Sequence, residues 1–255
     1  MVQIEDPYRK ALEAISAKHS ISIDHLERRV ASRRANTFGL VSPRMAARSI
    51  ASEIDIISFL AGGSRHVSGL KLSDALAAAQ AEAEASNMMT LGYWPHPHDT
   101  PAGIAAHYLK AIEAIAEANL DSSISIKVDR LDYDQQELMS VVHDAKQHQV
   151  CVHFDAQSYE STDRTHVLME EALAMGANVS ATLPSRWERS IKDAERLIEL
   201  RVPFRIVKGQ ARDPNNPSIN PRRSFIDLVK QVAGRAAHVG IATHDRRTAE
   251  PALEI

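Results

Sequence analysis

The sequence predicts an α/β protein of the (β/α)8 TIM-barrel class, short of its eighth βα unit and led by an N-terminal helical segment. Two observations predict it. From Arg65 onward, short apolar runs alternate with helix-like segments, and such alternation implies parallel strands joined by right-handed crossovers. Several of the runs are also polar on one face only: Ile124, Ile126 and Val128 share one parity, while Ser123, Ser125, Lys127 and Asp129 share the other. A doubly wound open sheet buries both faces under helices and is apolar on both. A polar face belongs better in the lumen of a barrel.

Composition sets the bounds. The chain has 255 residues, 44% hydrophobic and 25% charged, which is ordinary globular usage and enough to bury a substantial core. A formal net charge of -3, with no basic run, argues against a nucleic-acid partner. Cys151 is the only cysteine, so no intrachain disulfide forms, which fits a reducing compartment. No apolar run approaches the ~18 residues of a membrane span, and the first thirty residues mix both charge signs unlike a signal peptide. The expectation is a cytoplasmic protein with no integral membrane segment.

Residues 1–62 read as a helical cap, with Leu12 and Ile15, and Ile54, Ile57 and Leu60, at helical spacings and breaks at 36–39 and Ser42-Pro43. The barrel domain then occupies 63–255. Its strands are expected at Arg65–Leu70, Met88–Trp94, Ser122–Leu131, Val150–Gln157, Asn178–Ser185, Pro203–Gln210 and Ala237–Asp245. Helices are expected at Ser73–Ser86, Thr100–Ala118, Tyr133–His148, Thr162–Met175, Glu188–Leu200 and Pro221–Ala233, with a stub after Arg246. Parity sets Val152 and Phe154 against His153 and Asp155, and places Arg205 with Val207 and Gly209. An unclosed barrel exposes unpaired backbone groups at its edge, so the N-terminal helices, or a second copy in a homo-oligomer, are expected to cover the gap.

Chemistry-bearing side chains gather at the carboxyl ends of different strands, as barrel enzymes assemble a site. Arg205 is the most pointed, because a charge within an apolar strand is costly unless paired. It reads either as a ligand-binding cation or as the partner of an aspartate on a nearby strand. Lys127 suits an anion site, a Schiff base or a simple pair with Asp129. Asp155 suits a ligand-positioning carboxylate or a neighbour of a helix N-terminus. His96-Pro97-His98-Asp99 suits half a zinc or iron site, or a polar loop shaped by its prolines. His244 stacks on a ligand or merely ends a strand. The chain has no GxGxxG and no Walker motif.

At these residues the sequence resembles the proline dehydrogenase family, FAD enzymes on a (β/α)8 barrel. Ser64-Arg65-His66-Val67-Ser68-Gly69 is similar to the family's first strand, and Ser125-Ile126-Lys127-Val128 to its Ser-Val-Lys-Leu. Val152-His153-Phe154-Asp155-Ala156-Gln157, with Ser161-Thr162-Asp163-Arg164-Thr165, resembles its Asp-x-Glu strand and the helix start after it. Arg205-Ile206-Val207-Lys208-Gly209 resembles Arg-Leu-Val-Lys-Gly, and Ile241-Ala242-Thr243-His244-Asp245 resembles Ala-Thr-His-Asn/Asp.

The resemblance implies oxidation of proline or a related cyclic amine to an imine, with electrons passing to FAD and then to an acceptor such as quinone. It implies that Arg205 lies near the reactive nitrogen of the flavin, that Val207, Lys208, Gly209 and Gln210 pass the cofactor, and that Thr243 and His244 contact it. Lys127 and Asp155 fall on the substrate side, and no metal is implied. The chain departs from the family's pattern at Gln210-Ala211 (for Ala-Tyr) and at Pro184, where the family carries a glutamine. It has no counterpart of the family's Gly-Glu around Tyr93–His96. The family's carboxylate-clamping Arg-Arg helix is not matched either, since Arg222-Arg223 begin an earlier helix. Two other readings stay open. One is a non-flavin barrel enzyme, either a Schiff-base lyase using Lys127 or Lys208 or a metal enzyme using His96 and His98. The other is a non-catalytic barrel relative that binds a partner.

Overall fold

Strict alternation along short strands shapes the sheet. In a computed structural model, residues 12–13, 16, 22–24, 26–28, 68, 71–95, 99–155 and 158–255 are described. By internal contacts the chain divides into two units, Met1–Lys71 and Leu72–Ile255. In the first unit, 12–13, 23–24 and 26–28 are helical and Leu12 and Leu26 are buried. The other features expected there, including the strand at Arg65–Leu70 apart from Ser68, lie outside the described residues.

The second unit runs α1 (Leu72–Glu84), β1 (Met89–Gly92), α2 (Pro101–Glu117), β2 (Ser122–Ile126), α3 (Gln135–Gln147), β3 (Cys151–Phe154) and α4 (Thr162–Ala174). It continues with β4 (Val179–Pro184), α5 (Ser190–Glu199), β5 (Phe204–Val207), α6 (Pro221–Val232), β6 (Val239–Ala242) and α7 (Arg246–Leu253). The strands are all parallel and lie in chain order from β1 to β6. A doubly wound sheet reverses its order at a switch point. An unreversed order with right-handed crossovers keeps the helices on one face and curls the sheet. The six described strands therefore form a curled half-barrel, and the barrel class is borne out.

One strand parity faces the helices. Ile124 and Ile126, Val152 and Phe154, Ala181 and Leu183, and Phe204 and Ile206 are all buried. Against them α2 brings Ile104, Tyr108, Ile112 and Ile115, at the three- and four-residue spacing of a helical stripe. Helix starts are fixed locally. Thr100 Oγ1 accepts from the Gly103 N–H at 3.1 Å, and Asp134 and Asn220 cap α3 and α6 in the same way.

One expectation is corrected. The strand predicted over Ser122–Leu131 ends at Ile126, and Val128–Leu131 forms a 3-10 turn. Val128 and Leu131, three residues apart, are both fully buried. Burying both requires the chain to turn, which takes Asp129 off the lumen face. The other described strands are shorter than expected, so Lys208, Gly209, Gln210, Thr243 and His244 lie in the loops that follow β5 and β6.

Candidate active site

The other strand parity builds a polar face. Strand register sets Ser125 beside His153 and His153 beside Ser180. It also sets Thr182 beside Arg205 and Arg205 beside Gly240. Asp155 lies just past β3 and becomes the hub. Lys127 Nζ stands 3.7 Å from Asp155 Oδ2, and Arg205 Nη2 donates to Oδ1 at 3.3 Å. Arg205 spans β4 to do so, and on the way its Nε donates to Thr182 Oγ1 at 3.1 Å. The Thr182 hydroxyl in turn donates to Asp155 Oδ1 at 3.0 Å. Of the alternatives open for Lys127, the simple pair with Asp129 is not the one formed: its salt bridge is to Asp155, and Asp129 pairs with Arg130 at 4.0 Å.

Burial tunes these groups. Lys127 is 8% exposed and Thr182 2% exposed, while the Arg205 side chain keeps 33%. Desolvation lowers the Lys127 pKa from its ordinary value and Arg205 adds to that, while the Asp155 carboxylate opposes both. His153 is pushed down to about 3, first by burial and then by Arg205, so its imidazole is neutral. The Lys127 ammonium lies 5.4 Å from the centre of the half-exposed Trp94 ring, within reach of a cation–π contact.

Beyond β5 the chain is fastened to the loop after β4. Gly209 has φ +84, and a Cβ there would meet Pro184 Cβ at 2.9 Å. Its close approach is thus to Pro184. Arg186 Nη1 donates to the carbonyls of Gly209 and Gln210, and Trp187 Nε1 to that of Ala211. The buried Asp213 accepts from the backbone N–H groups of Glu188, Asn215 and Asn216.

Of the residues singled out in the sequence, Lys127, Asp155 and Arg205 come together. Val207 sits beside Ala242 on adjacent strands. Lys208, Gln210 and His244 are exposed beyond the strand ends, and Thr243 Oγ1 accepts from the Asp245 N–H. His96 and His98 lie outside the described residues. Among the described residues no cluster of His, Cys, Asp or Glu is arranged to hold a metal ion, and no helix is long and apolar enough to cross a membrane. Sequence reasoning missed Thr182 and Ser180, although their alternation along Val179–Pro184 is the signal that marks a lumen face.

Fold and site together define a β/α-barrel protein whose charged centre lies at the carboxyl ends of its strands. In sequence the chain is similar to proline dehydrogenase 1 of Bacillus subtilis subsp. natto, 26% identical over 152 residues, covering 56% of this chain and 50% of the relative. Proline dehydrogenase 2 of Bacillus subtilis (strain 168) is 23% identical over 148 residues, covering 54% and 48%. The resemblance to proline dehydrogenases is borne out, and the chain spans about half the length of these curated relatives. No protein-family model matches it. In fold it is similar to proline utilization A from Bdellovibrio bacteriovorus, with TM-score 0.62 and 13% identity, covering 98% of this chain and 32% of that one. Proline utilization A from Bradyrhizobium japonicum follows with TM-score 0.60 and 17% identity, covering 83% and 26%.

Proposed function

We propose that the chain oxidises proline or a related cyclic secondary amine to its imine, with FAD as the hydride acceptor and an acceptor such as quinone taking the electrons onward. The observation that carries this is the Lys127–Asp155–Arg205 cluster at the strand ends of a chain related to proline dehydrogenases.

The residues present fit a flavin along one edge. Arg205 commits Nε and Nη2 to Thr182 and Asp155, leaving Nη1 without a hydrogen bond among the described residues. Beside it on β6 stands Gly240, which has no side chain, and the small Ala242 lies beside Val207. Lys208, exposed after β5, is a second cation that suits a phosphate-bearing ligand. Pro184 offers the ring no side-chain donor. Bound there, FAD supplies a two-electron acceptor. Arg205 would hold the group through its guanidinium, a fixed cation that would favour electron acceptance there.

The rest is the work of the protein. Asp155 attracts the substrate nitrogen, and Trp94 gives its ring an apolar wall. Lys127, a buried cation 3.7 Å from Asp155, holds this carboxylate toward the incoming amine.

The test is an absorption spectrum of the purified protein with added FAD, followed by proline and other cyclic amines. A flavin band that bleaches with substrate and recovers with a quinone is the expected outcome. Protein that takes up no flavin overturns the reading. The depressed pKa of Lys127 also favours a second reading, a Schiff-base lyase. Borohydride trapping of a carbonyl compound on Lys127 would establish that instead.

A further inference from the structure

The hydrogen bonds on the polar face have a direction, and one hydroxyl sets it. Thr182 has a single hydroxyl proton, which it gives to Asp155 Oδ1 at 3.0 Å, while its oxygen receives Arg205 Nε–H at 3.1 Å. The 2.7 Å contact between Thr182 Oγ1 and His153 Nε2 therefore has the imidazole as donor. The opposite tautomer would set two lone pairs against each other. With the proton on Nε2, the bare Nδ1 accepts from the Ser180 hydroxyl at 2.8 Å. Cys151 Sγ lies 3.6 Å from Ser180 Oγ, at the far end of the same chain.

The charges facing the ring are Asp155, following β3, Lys127, following β2, and Arg205 on β5. Both cations oppose its protonation. His153 is 5% exposed, and a charged imidazole would be a third cation beside one carboxylate. We propose that His153 is a positioning residue, a neutral Nε2–H imidazole that directs the Thr182 hydroxyl onto Asp155 and so holds this carboxylate between Lys127 and Arg205. Its kinetic consequence rests on the proposed amine oxidation, whereas its tautomer does not.

Two measurements test it. In the full chain labelled with 15N-histidine, the signal missing from His153→Gln is assigned to His153. It is expected to show a bonded proton on Nε2 only, unchanged from about pH 5 to about pH 8. A proton on Nδ1, or titration within that range, overturns the proposal. In the kinetic arm, glutamine keeps one donor and one acceptor where leucine keeps neither. His153→Leu is expected to lower kcat about tenfold or more with little change in KM, and His153→Gln to recover most of the loss. His153→Leu combined with Thr182→Val should be no worse than either alone, because both break one chain. Additive losses, or equal losses in the Leu and Gln variants, overturn the positioning role. Should His153→Leu fail to fold, His153→Met alone and combined with Thr182→Val gives the same comparison. A wild-type protein inactive on all amines overturns the proposed function and leaves the tautomer to the first measurement.

Discussion

Gly240 stands directly opposite Arg205 in the pairing of β5 with β6, and a Cβ at Gly240 would lie 3.1 Å from Arg205 Cβ. That is tighter than ordinary contact, so the bare strand keeps room for the arginine to lean toward Thr182 and Asp155. Gly240→Val is expected to push the guanidinium out of line and weaken FAD binding about tenfold, ~1.4 kcal/mol. Flavin titration measures this, with a melting curve confirming that the variant is folded. Unchanged affinity would show that Arg205 does not meet the cofactor.

Asp155→Asn removes the one anion between Lys127 and Arg205. The amide still accepts from Thr182 but turns a donor toward one of the cations. A loss of about 1–3 kcal/mol is expected, toward the lower end because Arg205 is partly solvated. Turnover should fall roughly a hundredfold. Denaturant unfolding and steady-state kinetics read the two effects separately, and an Asp155→Asn protein with wild-type turnover would remove the carboxylate from the site.

Gly209→Ala meets two costs. Its φ of +84 belongs to the left-handed region, and the added methyl would overlap Pro184 Cβ at 2.9 Å. A side chain in that region costs about 1–2 kcal/mol before the overlap is relieved. A fall in Tm of several degrees is expected, and Pro184→Ala should return only part of it, because the backbone cost remains.

Acid should destabilise the fold above the pH at which its carboxylates titrate. His153 is held at about 3 and His166 below its ordinary value, each first by burial. Unfolding frees both to bind protons near pH 6.5. Between about pH 6.5 and about pH 3 the unfolded chain carries a proton at His153 that the folded one does not, so stability falls as pH falls, by up to ~1.4 kcal/mol per pH unit, and His166 adds to the slope just below about pH 6.5. Urea unfolding at several pH values measures the slope. His153→Gln is expected to flatten it, and an unchanged slope would mean that His153 is charged in the folded protein.

Much of the site was legible because the rules that place it are local. Backbone alternation alone puts Arg205 and Val207 on one face and Phe204 and Ile206 on the other, and the burial of the latter pair follows it. The same rule failed at Asp129, where the tertiary demand to bury Val128 and Leu131 replaced the strand with a turn. Gly209 was legible as a close approach, but its neighbour Pro184 sits on another strand, and nothing local names it.

By itself, the sequence determined the singly wound β/α order, the polar parity, and the cations and carboxylate at the strand ends. Each of these follows from period and composition within a few residues. Only the tertiary structure decided the partners. Asp155, not Asp129, takes Lys127, and Thr182 lies between His153, Asp155 and Arg205. Partner choice depends on the stagger of neighbouring strands and on where each strand ends, and both are settled by packing across the sheet.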